Sequence, residues 1–314
     1  MPYNSLVSRT DTAALVPEEV SQAMLTSLSA QSAVLELGTR IPMSRNQTRF
    51  PVLSALPTAY FVSGDTGLKP TTEAAWDNKF MYVEEIATIV PIPEAVLDDA
   101  GFDVWASIQP LMEAAIARTL DAAVIFGTNA PTTWATEGAL VTDAVAAGNV
   151  VARGTNAAGA AGGLNQDLID LLATLWADGY NPNGAVGNIT LRSRVAGTRD
   201  ANGLPMALPA ELPPVQYALP GLWPTGLSAA ELLVGDFSNL VVGVRQDMTY
   251  KLITEGVITD NSTPPQVIYN LPQQDMVALR LVFRAAYAVA NPINYQQGVE
   301  ANRYPFAVLR SPAV

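Results

Sequence analysis

The sequence predicts an α+β fold with long antiparallel strands and one principal helix. The chain has 314 residues, enough for one large domain or two modest ones with a substantial core. A broad apolar stripe at helical spacing covers 103–126, and alternation of period two covers 241–253 and 276–289. Each alternating segment is about twice as long as an average strand of five or six residues. We therefore expect an extended sheet beside the helix.

Composition excludes several kinds of catalytic and metal site. The chain contains no cysteine and no histidine, so it has no disulfide, no thiolate nucleophile and no Cys-ligated metal. The usual general base near neutral pH and the commonest metal ligand are missing as well. Adjacent carboxylates such as Glu84 and Glu85 do not rescue an enzyme, because neighbours on a strand point to opposite faces. We expect no cofactor, no metal and no enzymatic activity.

The charge balance indicates a surface that other protein covers. Only 15% of the residues are charged and 49% are apolar, whereas a typical soluble domain has roughly 25% charged residues. The net charge is -12, which should repel nucleic acid at long range. This balance argues against a DNA-reading protein and suits a container whose wall must not adhere to a polyanion.

Neither a membrane span nor a secretion signal is visible in the sequence. The apolar run 86–97 is short and is broken by Pro91, Pro93 and Glu94. Residues 1–12 lack the apolar stretch of a signal peptide. We therefore place the protein in a cytoplasm and expect no membrane partner.

Residues 1–56 are predicted to form an N-terminal arm. Pro17 opens a short amphipathic helix with two carboxylates in its first turn. The following segment, 29–50, is expected to be extended, and at about 3.3 Å per residue it could reach roughly 70 Å. Its aliphatic residues favour docking on a neighbouring subunit over a disordered tail. Three arginines of the arm are candidate contacts with that neighbour: Arg40, Arg45 and Arg49.

Residues 57–83 are predicted to form a long hairpin. Its strands, 57–63 and 71–83, flank the turn Gly64-Asp65-Thr66-Gly67, whose glycines permit positive φ angles. A limb of about ten residues extends roughly 33 Å, so the tip should reach a second chain. An ordinary surface hairpin is the alternative. The candidate contacts of the hairpin are Lys69, Trp76, Lys79 and Phe80.

The principal helix is predicted over 103–126. Asp103 is a favourable N-cap and Gly127 a favourable terminator. Pro110 removes the amide that would bond to Ala106, so we predict a bend or a break there. The apolar stripe consists of Val104, Ile108, Leu111, Met112, Ala115, Ile116, Leu120, Val124 and Ile125.

The remaining segments complete the order of elements. Residues 128–163 give no clear element, and the prolines of 204–224 exclude a regular helix there. A second helix is expected over 165–178, and a final strand over 306–309. The predicted buried face of this second helix contains Leu168, Leu171, Leu172, Leu175 and Trp176. The strand 276–289 places two further candidate contacts on one face, Arg280 and Arg284.

Four pieces of sequence stand in a characteristic order. They are Gly67-Leu68-Lys69-Pro70, the helix 103–126, Gly235-Asp236-Phe237-Ser238 before one long strand, and 274–280 leading to Ala290-Asn291-Pro292 around the other. Their order and spacing, over nearly the whole chain, resemble the major capsid proteins of tailed bacteriophages with the Hong Kong 97-type fold.

The resemblance implies a division of the chain and a set of partners. The arm would be 1–56, the extended loop 57–80, the peripheral domain 81–135 with 241–290, and the axial domain 136–240 with 291–314. Identical subunits would form hexamers and pentamers of an icosahedral shell around double-stranded DNA, without sequence-specific contact. A separate scaffolding protein, a portal and possible decoration proteins are implied partners, and the virion capsid, assembled in the bacterial host cytoplasm, is the implied location.

Some relatives in this family join subunits by an isopeptide bond between a lysine and an asparagine, aided by a glutamate. Lys69 matches the lysine, whereas Asp275 and Val282 stand where the asparagine and the glutamate would be. Without a carboxylate to accept the amine proton, the reaction lacks its general base. We therefore expect the shell to be held by non-covalent contacts.

Two further expectations follow from the sequence. The same fold serves encapsulin-like compartment shells that enclose a cargo enzyme, and this alternative stays open. Because no side chain titrates near neutrality in its unperturbed form, shell stability should be flat between about pH 6 and 8.

Overall fold

The computed structural model describes residues 32–62, 67–69, 71–99, 103–157, 162–199, 202–219, 221–260 and 262–312. They fall into two compact units. The first contains Glu85–Ala117 and Gln246–Arg284, and the second contains Ser32–Glu84, Arg118–Arg245 and Ala285–Val314. The helix predicted at Pro17 and the predicted turn residues 64–66 lie outside the described residues. The four-part division expected from the family resemblance stays a prediction.

Helices and strands are both well represented in the described part of the chain, as an α+β fold requires. The helices are α1 (Ala33–Leu37), α2 (Glu94–Asp99), α3 (Val104–Phe126), α4 (Leu140–Ala146), α5 (Gly163–Ala177) and α6 (Ile189–Ala196). The strands are β1 (Thr39–Pro42), β2 (Gln47–Ala55), β3 (Ala75–Tyr82), β4 (Glu84–Pro93), β5 (Val150–Ala152), β6 (Gly184–Gly187), β7 (Val215–Gln216), β8 (Ala230–Gly235), β9 (Leu240–Ile253), β10 (Val257–Thr259), β11 (Val267–Asn270), β12 (Met276–Val289) and β13 (Phe306–Arg310).

The largest core of the second unit lies between helix α5 and a five-stranded sheet. The sheet has the order β5-β13-β8-β6-β7, with β13 antiparallel to β8 and parallel to β5. Four leucines of α5 at helical spacing are fully buried against Leu232, Val234 and Leu309. Each buried leucine contributes roughly 1.5–3 kcal/mol. The buried residues of α5 in this core are Leu168, Leu171, Leu172 and Leu175.

The predicted long strands are confirmed almost to the residue. Strands β9 and β12 have 14 residues each, and a four-stranded sheet has the order β1-β9-β12-β4. Strand β1 runs parallel to β9, with Thr39 opposite Val241 and Pro42 opposite Val244. The final strand, β13, is also where the alternation predicts it.

Helix α3 begins and ends where the sequence predicts, but Pro110 does not break it. The Asp103 carboxylate accepts a hydrogen bond from the Ala106 amide at 3.1 Å, and Gly127 follows with a φ of 70°. The helix continues through Pro110, so the predicted break is wrong. Both Ala106 and Pro110 are exposed, and water can therefore satisfy the freed Ala106 carbonyl. The predicted bend stays a prediction.

Several local predictions are wrong for identifiable physical reasons. The segment 29–50 is not simply extended, because 33–37 form α1 under a side-chain cap from Ser32. The first limb of the hairpin is β2 rather than 57–63, because it is β2, including Pro51, that pairs with β3. Leu111 is 69% exposed and Trp176 is 41% exposed, because each lies at the solvent edge of its stripe. Residues 128–163 contain α4 and β5.

Candidate inter-subunit interface

The paired strands β2 and β3, called the ribbon below, carry an apolar outer face. Their antiparallel register places Leu53 opposite Trp76 and Arg49 opposite Phe80. Because side chains alternate along a strand, these four residues lie on the same face. Trp76 is 64% exposed and Phe80 is 38% exposed. We call Arg49, Leu53, Trp76 and Phe80 the outer face.

The inner face of the ribbon packs on its own subunit. Val52 and Met81 are buried, and Met81 belongs to a cluster with Met43, Val83 and Ala286. The ribbon is therefore fastened on one side and open to solvent on the other, as the alternation of the second strand predicts.

Lys79 lies on the inner face and pairs within its own chain. The register places it opposite Phe50, and its Nζ is 3.4 Å from the Glu300 carboxylate. The carboxylate side of this pair is 62% exposed, so the pair adds little stability. The role of Lys79 in contacts with a neighbour stays a prediction.

Beyond the ribbon, an irregular stretch exposes further large apolar side chains. Tyr60 is 59% exposed, Leu68 is 94% exposed and Phe61 is fully exposed. Lys69 is exposed beside Leu68. The prediction from sequence did not include Leu53 of β2, nor Tyr60, Phe61 and Leu68, although the last three are apolar residues in a stretch with glycines and prolines, which was a usable signal.

The other predicted contact arginines are dispersed. Arg40 and Arg45 are exposed, and neither forms an ion pair with another residue that the structure describes. Arg284 donates from Nε to the Glu85 carboxylate at 2.8 Å. The Nε atom of Arg280 is buried and has no hydrogen-bond partner among the described residues. A buried guanidinium nitrogen without a hydrogen bond lowers the stability of the fold. Of the two arginines of β12, Arg280 is therefore the one whose environment is incomplete among the described residues.

A buried carboxylate holds the start of the described chain. Asp121, in α3, is fully buried and accepts hydrogen bonds from the Ser32 hydroxyl at 2.6 Å and from the Ala33 and Val34 amides at 3.1 and 3.2 Å. Burial raises the pKa of Asp121 to about 6, although the three hydrogen bonds partly oppose this rise. Asp121 could not be recognised from the sequence, because a single aspartate inside an apolar stripe carries no signal of its partner.

A second group of carboxylates lies near the inner face. Burial raises the pKa of both Glu137 and Asp143, and the positive charge of Lys79 partly opposes this rise. The hydroxyl of the neighbouring Tyr287 donates to the carbonyl of Gly138. In the described residues no three potential ligands come together as a metal site, and no described helix is long and apolar enough to span a membrane.

A ribbon that is fastened on one face and aromatic on the other defines a structural subunit whose surface other chains complete. The Phage capsid family model matches residues 12–294, so the chain belongs to the phage capsid family.

Individual relatives agree with this family. The chain is 25% identical over 301 residues to the major capsid protein of Staphylococcus phage 80alpha, covering 91% of this chain and 85% of that protein. A solved structure from Microbacterium phage Oxtober96 superposes with a TM-score of 0.77 at 35% identity, covering 98% of this chain and all of the other. One from Mycobacterium phage Bobi gives 0.79 at 32% identity, with coverage of 99% and 100%. The predicted Hong Kong 97-type fold is thereby confirmed.

Proposed function

We propose that this chain is the major capsid protein of a tailed phage and that identical copies tile the head as hexamers and pentamers. The family match and the relative named as a major capsid protein support this proposal. The observation that carries it is the outer face of the ribbon, where the described residues leave Trp76 64% and Phe80 38% exposed. The family match and the named relative also support a structural role rather than an enzymatic one.

The outer face is proposed to dock on an adjacent copy. Burying Trp76 and Phe80 there would contribute roughly 1.5–3 kcal/mol per side chain. Tyr60, Phe61 and Leu68 extend the apolar surface toward the tip. A contact of this kind repeats once per subunit, so a modest free energy at each copy accumulates over the whole shell.

Arginines are proposed to complete the contacts around this apolar centre. Arg49 lies beside Phe80 on the outer face, and Arg40 and Arg45 are exposed nearby in sequence. On β12, the Arg280 Nε is buried and has no hydrogen-bond partner among the described residues, and the half-buried side chain of Arg280 is proposed to meet a neighbour through its accessible part. Lys69 contributes a charge at the tip rather than a covalent bond, since Asp275 and Val282 replace the residues that the bond requires.

The remaining partners follow from charge and from the family. Packaged DNA is held without sequence-specific contact, because a net charge of -12 opposes close association with phosphates. A scaffolding protein, a portal and decoration proteins are proposed as separate chains. The proposed location is the capsid of the virion, assembled in the cytoplasm of the bacterial host. An encapsulin-like compartment is the alternative, and the phage relatives do not favour it.

Electron microscopy of purified recombinant protein tests the proposal directly. Closed shells or capsomers built from five and six copies are expected. A well-folded, soluble single subunit at high concentration would contradict it. Particles isolated from the source distinguish the two kinds of shell, since DNA-filled heads with tails identify a phage and protein-filled cages without tails identify a compartment.

A further inference from the structure

The second unit contains a cleft lined by arginines that the ribbon contacts do not use. It has a volume of about 460 Å³ and lies beside the start of α5 and the end of α6. Its lining includes Arg153, Arg194, Arg199, Asn156 and Asp167. In a chain with 17 basic and 29 acidic residues, three guanidinium groups around one cleft are an unusual concentration of positive charge.

Two of the three lining arginines are paired with a carboxylate. Arg153 and Arg194 share one carboxylate, the buried Glu231, with Arg153 Nε at 2.8 Å from it. Asp167 is engaged by the Gly154 and Asn156 amides at 2.6 and 2.9 Å. Arg153 and Arg194 are therefore both paired with Glu231, whereas Asp167 is held by backbone amides and not by an arginine.

Arg199 is the arginine of the cleft that no carboxylate in the described part of the chain neutralises. Its Nη1 donates only to the carbonyls of Ala196 and Thr198, at 3.0 and 2.9 Å. Arg199 forms no ion pair with any residue that the structure describes. An exposed guanidinium with unused donors on one side of a concave surface suits a carboxylate, which it can bind through two parallel hydrogen bonds.

The same region of the chain holds one carboxylate that lacks a partner. Within the described parts of 162–240, every other acidic residue accepts at least one hydrogen bond from a described neighbour. Glu211 is exposed and forms no ion pair or hydrogen bond through its carboxylate with a described residue. The acidic residues that do have partners are Asp167, Asp170, Asp178, Glu231 and Asp236.

The position of Glu211 suits an intermolecular contact. It lies in a loop with Pro209, Pro213 and Pro214, and the Leu212 amide donates to the Pro209 carbonyl at 3.1 Å. Prolines restrict the backbone of the loop before it meets a partner, so less conformational entropy is lost on binding.

We propose that the cleft at Arg199 receives Glu211 of a second copy of this chain. The inference rests on the proposed function, because it assigns a further contact between the same identical subunits. A side chain fits a concave cleft of this size, whereas a nucleic acid backbone meets the repulsion of a chain with a net charge of -12. The complementary charges lie on the same chain, so each subunit can both donate and receive the contact around a ring.

Charge reversal tests this contact, with the fraction of protein in sedimenting shells as the measurement. Arg199→Glu and Glu211→Arg, expressed singly, place like charges against each other at every copy, and each should lower the shell fraction roughly tenfold. Co-expression of the two single variants should raise the shell fraction again, since reversed and native partners can alternate around a ring of six, although a ring of five keeps one like-charge contact. The double variant in one chain should also assemble.

Control variants separate this result from a loss of folding. Arg192→Glu changes an arginine of α6, the helix that precedes Arg199. Arg192 lies over the Tyr217 ring, 5.7 Å from its centroid, and outside the cleft lining, so this variant should leave the shell fraction unchanged. Arg199→Gln should lower the shell fraction less than Arg199→Glu. Thermal unfolding of the unassembled subunits should be the same for all variants.

Three results would overturn the inference. The first is normal shell formation by both single variants. The second is rescue in the double variant without rescue on co-expression, which indicates a contact within one chain. The third is normal assembly of Arg199→Glu with less DNA retained, which assigns the cleft to phosphates. Failure of the wild-type protein to form shells would instead contradict the proposed function itself.

Discussion

Two single residues, Trp76 and Asp121, bear on different processes: Trp76 on association of subunits and Asp121 on the stability of one subunit. Trp76 exposes most of its ring to solvent, although tryptophan gains more from burial than almost any other side chain. Asp121 is fully buried and forms no ion pair with a described residue, although an ionised carboxylate is strongly stabilised by water. The first residue is therefore unsatisfied until a neighbour arrives, and the second makes the subunit sensitive to pH.

Trp76→Ala should impair shell formation while leaving the subunit folded. The variant loses roughly 1.5–3 kcal/mol of apolar burial at each contact, but no buried contact within its own subunit. Negative-stain microscopy and sedimentation measure the yield of shells. Trp176→Ala is the matched control, because Trp176 is also exposed but lies on α5 away from the ribbon. Normal yield from Trp76→Ala would remove the outer face from the interface.

Asp121 should make the unassembled subunit more stable in mild acid than at neutral pH. Its pKa is raised in the folded protein to about 6 from an ordinary 3.8, so the folded state binds more protons between these values. The contribution is fully present below pH 3.8 and is lost as the pH rises through 6, by about 3 kcal/mol in total.

Denaturant unfolding at pH 4, 5, 6 and 7 measures this dependence against Asp121→Asn. The free energy of unfolding of the wild-type protein should fall relative to that of the variant as the pH rises, mostly below pH 6. Above pH 6 the remaining change is less than about 0.5 kcal/mol, so the flat window expected between pH 6 and 8 is nearly preserved. Parallel curves for the two proteins would assign Asp121 a pKa near its ordinary value.

At the scale of elements, α3 and the ribbon depart from local sequence rules in instructive ways. Helix α3 accommodates a proline in its second turn because the freed carbonyl faces solvent. Strand β2 accommodates Pro51 because the ribbon has only two strands, so a residue without an amide donor removes one bond at most.

Pro110→Ala should stabilise the subunit. The substitution restores the amide that bonds to the Ala106 carbonyl and relieves the contact of the proline ring with that turn, worth up to about 3 kcal/mol in a helix interior. Thermal unfolding of unassembled subunits measures the gain, and Gln109→Ala, at the preceding position, serves as the control. A loss of stability would show that the fold requires the geometry that proline imposes at this point.

Much of the fold could be predicted because period and length are local properties of the chain. The alternation of β12 and the stripe of α3 give bounds within a residue or two of those observed. The pairing of β2 with β3 across an intervening stretch of 19 residues is not local, and the hairpin was therefore assigned to the wrong first strand. Asp121 and the cleft at Arg199 depend on residues far apart in sequence, so no pattern along the chain could reveal them.

At the scale of the whole molecule, the net charge of -12 opposes the association that the apolar surfaces favour. Copies of one acidic chain repel each other at distances up to the Debye length, which is about 10 Å at 0.1 M salt. The apolar contacts of the outer face do not depend on this screening. Assembly is therefore a balance between long-range repulsion and short-range burial.

Shell formation should increase as the salt concentration rises from about 0.05 to 0.5 M, because screening weakens the repulsion between copies. Light scattering of purified subunits at matched protein concentration measures the extent of assembly. Arg199→Glu should respond more steeply than the wild-type protein, since its added like-charge contact is screened as well. A decrease in scattering by the wild-type protein would mean that ion pairs, rather than apolar burial, dominate the contacts.

The packing of the ribbon through Met81 and Val52 bears on how one polypeptide can form rings with different numbers of subunits. Because the inner face already packs on its own subunit, the ribbon keeps its direction when it docks on a neighbour. Little conformational entropy is then lost on docking. For the proposed rings of five and six copies, we expect the irregular residues 56–62, past the end of β2, to make the adjustment. The conformation of that short stretch would then set the local curvature of the shell, while the rest of the subunit stays the same.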